Sequence, residues 1–139
     1  MEILFHNYEE WAEATSAWAR IGRKWEAYFR GDAIKKGEHG ALIFSGSQVF
    51  YAPALPLEEV FDPTGAGDTF AGGFAGFLAA SKNISFDNMK NAVIYGSALA
   101  SFCVEKFGTQ RMENLTNTEV NERLSQFKSL TQFDIELTQ

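Results

Sequence analysis

The segment Phe61-Asp62-Pro63-Thr64-Gly65-Ala66-Gly67-Asp68-Thr69-Phe70 constrains this chain more than any other stretch. Leu57 to Phe61, which reads as a strand, precedes the glycines, and an apolar stretch from Thr69 to Ala80 follows them. The spacing predicts a strand that turns into a helix running from about Asp68 to Ala80. Pro63 stiffens the entry to the turn. Gly65 and Gly67 carry no Cβ, so backbone N–H groups there can face an anion closely at a helix start, where the helix dipole also favours negative charge. Asp68 stands beside that turn, where a carboxylate can accept the proton of an attacking hydroxyl. By itself the stretch also allows, as the lesser alternative, an ordinary strand-to-helix corner with Asp68 as the N-cap. Other glycine motifs fit poorly. The sixth position of a Gly-x-Gly-x-x-Gly reading is Phe70, and no Gly-Lys-Ser/Thr follows as a P-loop requires.

Around this turn the pattern is that of a layered α/β domain. Ile3-Leu4-Phe5 reads as a short strand, followed by a helix carrying Trp11, Thr15, Trp18, Ile21, Trp25 and Phe29 at three- and four-residue steps. Ala33 to Lys35, Ala41 to Phe44 and Val49 to Ala52 read as short strands separated by Gly37, Gly40 and the turn Ser45-Gly46-Ser47, the last two forming a hairpin. Ser85 or Asp87 is placed to cap a long helix reaching about Lys106, with Met89, Val93, Gly96, Ala100 and Cys103 near one face and Gly108 as its stop. Thr116-Asn117-Thr118-Glu119 has capping-box spacing and opens a last helix with Val120, Leu124 and Phe127 inward.

Composition narrows the class. At 139 residues, 45% of them hydrophobic, the chain suits one domain, residues 1–139, with a sizeable core. Thirteen Phe, three Trp and four Tyr argue against disorder. Eighteen acidic residues against twelve basic ones, a net charge of −6, argue against a nucleic-acid surface, although Lys35-Lys36 is a local basic patch able to meet a nucleotide. The single cysteine, Cys103, excludes an intrachain disulfide and reads as a buried apolar residue between Phe102 and Val104. His6 and His39 lack metal-ligand spacing. The apolar stretch from Thr69 is broken by Gly72, Gly73 and Gly76 and falls short of the roughly 20 residues a bilayer span needs, so no membrane partner is expected. No signal-like segment opens the chain, so a cytoplasmic protein is expected, and the sequons at Asn83 and Asn114 are read as chance.

Asp62 to Phe70, together with Ala71-Gly72-Gly73, resembles the signature of the PfkB (ribokinase-like) sugar and nucleoside kinases over its whole length. The resemblance implies a ribokinase-like three-layer α/β/α fold and transfer of a phosphoryl group from ATP to a sugar hydroxyl. It also implies that Gly65, Ala66 and Gly67 form the anion hole and that Asp68 is the catalytic base. Asn7-Tyr8-Glu9-Glu10 is similar to the family's Asn-x-x-Glu motif, which implies that Asn7 and Glu10 act at magnesium and phosphate. Taken as residue types, this amide and carboxylate suit either hydrated Mg²⁺ or helix capping.

Lys35-Lys36-Gly37-Glu38-His39-Gly40 resembles the family's nucleotide-side turn, which implies that Lys36, Gly37, Glu38, His39 and Gly40 flank ATP; alone it is a hairpin turn. Gly96-Ser97-Ala98-Leu99-Ala100 lies where relatives wall the adenine, implying contacts from Gly96, Ser97 and Ala100, while core packing of small residues explains it equally well. Asp62 and Thr64 match a loop near which some relatives bind a monovalent cation such as K⁺.

Two departures stand out. The family's longer amino-terminal half, which carries sugar-binding residues, lid strands and the first strands of the central sheet, has no counterpart here. Arg30-Gly31-Asp32-Ala33 also replaces the longer β-branched strand expected before the Lys-Lys-Gly-Glu turn. A sheet cut at that edge exposes backbone and apolar surface, so a homodimer or a complementing amino-terminal half is an expected partner. The readings that remain are an enzyme or enzyme half, a catalytically silent nucleotide-binding or assembly module, and a structural remnant in which Gly65 to Asp68 only turns the chain.

Overall fold

The computed structural model describes the backbone of residues 32–35 and all of residues 39–138. Three strands, β1 (Asp32–Lys35), β2 (Ala41–Ser45) and β3 (Gln48–Ala52), form an antiparallel sheet in that order. Ser45 pairs with Gln48, so β2 and β3 form the expected hairpin, with a two-residue turn, Gly46-Ser47, in place of the expected Ser45-Gly46-Ser47. Gly46 takes φ 58, the positive value that the first central position of a tight hairpin turn requires. The expected strand at Ile3 to Phe5 and the helix after it lie outside the described residues.

Two long helices follow: α1 (Ala66–Ser81) and α2 (Phe86–Cys103). α2 packs on β2 and β3, α1 packs against α2, and together they bring Phe70, Ala71, Phe74, Leu78, Met89, Ala92 and Val93 into one core with Ala41, Ile43 and Ala52 of the sheet. α2 is the central element, packing on β2, β3, α1 and the helices that follow. Of the two caps the sequence offers, Ser85 and Asp87, the first opens it. The Ser85 side chain accepts from the Asn88 N–H, and Asn83 Oδ1 accepts from the Ser85 N–H at 2.9 Å.

The crossing of α1 and α2 is set by glycines. A Cβ on Gly96 would stand 2.7 Å from the Phe70 carbonyl oxygen and 3.2 Å from the Phe74 backbone nitrogen. A Cβ on Gly73 would stand 3.1 Å from the Gly96 Cα. Two hydrogens at these positions therefore let the backbones meet. Phe70 and Phe74 stack along one side of this contact, with parallel rings 6.2 Å apart. Full burial of each large apolar side chain in such a core stabilises by about 1.5–3 kcal/mol.

A short turn of helix, α3 (Gln110–Glu113), leads to α4 (Asn117–Thr131). Thr116 and Glu119 form the predicted capping box. Val120 and Phe127 are buried as expected, with Leu124 half-buried. Beyond α4 the chain leaves in an extended conformation, Gln132 having φ −82 and ψ 133, and Phe133, Ile135 and Leu137 are exposed.

Three expectations are corrected. Leu57 to Phe61 is not a strand. Pro53 and Pro56 supply no ladder donors, and the N–H groups of Phe61 and Asp62 donate instead to the Val104 carbonyl at 2.9 and 3.4 Å. α2 ends at Cys103, short of Lys106, because the Val104 carbonyl is taken by that loop; Gly108, with φ 57, belongs to the turn before α3. α1 starts at Ala66, which puts Asp68 inside its first turn and makes Gly65 the N-cap. The described residues supply a sheet and one helical layer of the layered architecture, and none of their helices is long and apolar enough to cross a membrane.

Candidate active site

Gly65 turns the chain into α1 with φ 81 and ψ −6, a left-handed conformation that costs a residue with a Cβ energy and costs glycine none. The Ala66 N–H closes a turn onto the Pro63 carbonyl at 3.2 Å, and the Thr69 N–H makes the first helical bond, to Gly65, at 2.9 Å. Between them, the Gly67 and Asp68 N–H groups meet no acceptor among the described residues, and no side chain caps the helix. The first turn of a helix concentrates partial positive charge on such N–H groups. What α1 presents is an open pair of donors backed by a dipole, with the exposed Asp68 carboxylate on the same turn.

The loop leading in is held by its own residues. Asp62 Oδ1 accepts from the Thr64 N–H at 2.9 Å, and the Thr64 hydroxyl and then its N–H hold the Asp62 carboxyl below the usual carboxylate range. Asp62 and Thr64, the expected cation-loop residues, are thus adjacent and bonded to each other. No group of three His, Cys, Asp or Glu side chains converges on a metal position among the described residues. Asn7 and Glu10, the expected magnesium residues, lie outside them.

Of the expected nucleotide-side turn, Lys36, Gly37 and Glu38 also lie outside the described residues. His39 is exposed, and its carbonyl accepts from the Tyr51 hydroxyl at 2.8 Å. Gly40 is buried with φ 91, and a Cβ there would stand 2.2 Å from the Ala52 carbonyl oxygen, so the sheet itself demands this glycine. Gly96, expected at an adenine wall, is spent on the α1 crossing. Ser97 and Ala100 are half-buried on the same helix.

Sequence reasoning did not join Cys103 and Val104 to this site. The Cys103 Sγ donates to the Thr64 carbonyl at 3.7 Å, and the Val104 carbonyl takes the two loop amides. Nothing in local spacing marks a contact between segments so far apart in the chain.

A glycine-opened helix start with no side-chain cap, two open N–H groups and a carboxylate in the same turn is a donor set that suits an anion such as phosphate. The pfkB family carbohydrate kinase model matches residues 2–116, and the chain belongs to that family. It is 45% identical to a cytidine kinase of Thermococcus kodakarensis over 81 residues, 53% of this chain and 28% of that one. It is 39% identical to a ribokinase of Bacillus subtilis over 92 residues, 66% of this chain and 29% of that one. Among solved structures, the nucleoside kinase of Methanocaldococcus jannaschii, described as an archaeal member of the ribokinase family, superposes with a TM-score of 0.64. The two are 30% identical, and the match covers 87% of this chain and 38% of that one. The fold is therefore ribokinase-like α/β, and the chain spans less than half the length of these relatives.

Proposed function

We propose that this chain is the ATP-handling part of a PfkB-family kinase that transfers the γ-phosphoryl group of ATP to a hydroxyl of a sugar or nucleoside. The observation that carries this is the pair of open N–H groups at Gly67 and Asp68, opened by Gly65 and set beside the Asp68 carboxylate. Phosphoryl transfer asks a protein mainly to position reactants and to stabilise charge on the equatorial phosphate oxygens. Gly65, Ala66 and Gly67 form the turn that receives those oxygens. Asp68 takes the proton of the acceptor hydroxyl as its oxygen bonds to phosphorus and the bond from phosphorus to the bridging oxygen of ADP breaks.

Around this centre, Lys36, Gly37, Glu38, His39 and Gly40 flank the nucleotide, and Ser97 and Ala100 wall the adenine on the helix that Gly96 seats against α1. Magnesium, held by Asn7 and Glu10, would neutralise phosphate charge when bound. A monovalent cation belongs with the Asp62–Thr64 loop. The acceptor pocket and any partner, a second copy or an amino-terminal half, lie beyond what these residues supply.

Asp68→Asn keeps the N–H groups and removes the base. In an active preparation, alone or complemented by an amino-terminal half, it should bind Mg-ATP within about twofold of wild type and lose at least about 100-fold in turnover, the scale of one general base. Wild-type-like turnover by that variant sinks the assignment. One rival is a nucleotide-binding module without catalysis, which the open N–H pair at Gly67 and Asp68 would equally serve. ATP binding without transfer to any of a panel of sugars and nucleosides would select it.

A further inference from the structure

The loop that shapes the anion turn is gripped from below by the end of α2. The Val104 carbonyl accepts from the Phe61 and Asp62 N–H groups at 2.9 and 3.4 Å, and the Cys103 Sγ donates to the Thr64 carbonyl at 3.7 Å. Cys103 is 4% exposed, and its sulfur lies 3.7 Å from where a Gly65 Cβ would be. The loop is thereby held at Phe61, Asp62 and Thr64, with sulfur packed under Gly65, before α1 begins.

There is an electrostatic reason for this grip. α1 and α2 pack side by side, and the loop contacts bring the carbonyl-rich end of α2 to the amide-rich start of α1. A bare carbonyl there would oppose an anion. The two loop amides cover the Val104 carbonyl, and the same bonds fix the approach to Gly65. A thiol suits the remaining place, because it fills an apolar space and still donates a weak hydrogen bond.

We propose that Cys103, acting together with the Val104 carbonyl, is a positioning residue for the anion turn: it holds residues 61–65 so that the Gly67 and Asp68 N–H groups are presented before any ligand arrives. This rests on the phosphoryl-transfer reading for its consequence and on the contacts for its existence, so the two can be tested apart.

Cys103→Ala removes the donor and part of the packing; Cys103→Ser restores a donor of similar size. Amide hydrogen exchange is measured on the full chain. In Cys103→Ala the Phe61, Asp62 and Thr69 amides should exchange at least about tenfold faster, while the β2–β3 hairpin amides change less than about twofold, the mark of a local opening. Cys103→Ser should return most of that difference. Titration with Mg-ATP, followed through the Gly67 and Asp68 amide resonances, should show binding weakened about threefold or more in Cys103→Ala and recovered in Cys103→Ser. Exchange unchanged at residues 61–69, or accelerated equally across the hairpin, overturns the proposal. Absence of Mg-ATP binding by the wild type counts against the phosphoryl-transfer reading alone, since the exchange comparison then still decides the role of Cys103.

Discussion

The guanidinium of Arg123 lies over the ring of Phe102, 3.9 Å from its centroid, and Arg111 approaches the same ring at 4.9 Å. Arg123 also donates to Ser101 Oγ at 2.7 Å and to Glu105, and Arg111 bridges Glu105 and Glu119 at 3.0 and 2.7 Å. α4 is thus fastened to the end of α2, the element that grips the anion loop, through planar cations stacked on a buried ring. Arg123→Lys keeps the charge and loses the fork and the stacking. It should destabilise the chain by roughly 1–3 kcal/mol in urea denaturation, and a change below roughly 0.5 kcal/mol would show the stack to be idle.

Acid should loosen the same region. The Thr116 hydroxyl, then its N–H, then Arg111 pull the Glu119 carboxyl down from 4.5 to about 2. Because the folded value lies below the ordinary one, the stabilisation is complete above pH 4.5 and fades as pH falls toward 2. Between pH 6 and pH 3 the wild type should lose more of its urea midpoint than Glu119→Gln does. Parallel losses would assign acid sensitivity to other carboxylates.

Two glycines should respond oppositely to alanine. At Gly40 a Cβ would meet the Ala52 carbonyl oxygen at 2.2 Å on a backbone with φ 91, so Gly40→Ala should cost at least about 2 kcal/mol from strain and backbone displacement. At Gly76 nothing lies within 4 Å, and Gly76→Ala in mid-helix should gain about 0.5–1 kcal/mol. Thermal unfolding of the two variants checks both signs. Any loss of ATP binding in Gly40→Ala has to be compared with its loss of fold.

The extended tail carries Phe133, Ile135 and Leu137 at 78%, 70% and 84% exposure, alternating with Asp134 and Glu136. Replacing the three apolar residues with serine should change the unfolding free energy by less than about 0.5 kcal/mol and lower self-association in sedimentation or light scattering. Unchanged association would move the sticky surface elsewhere.

What was legible in the sequence was local. The Gly46-Ser47 hairpin, the Ser85 cap, the Thr116–Glu119 box and the glycine entry to α1 each depend on residues within a few positions of one another. The failures were contacts across the chain. Leu57 to Phe61 has the pattern of a strand, yet its last amide and that of Asp62 are claimed by Val104. Asp68 resembles an N-cap until Gly65 is seen to take that place. The glycines at 40 and 96 carry a structural demand that sequence cannot show, because it does not reveal which backbone passes close by. Their neighbours, Ala52 and Phe70, supply the steric reason.

The α1–α2 crossing also limits how this chain can change over generations. A side chain gained at Gly96 collides with main-chain atoms of α1, and one gained at Gly73 collides with the Gly96 Cα and the Leu99 side chain. The obstacle at Gly96 is backbone, which no single substitution removes, whereas at Gly73 the tightest contact is Leu99 Cδ1, the end of a flexible side chain that can shift. Gly96 is therefore the fixed point of the crossing, where main-chain atoms on both sides set how closely the two helices can approach.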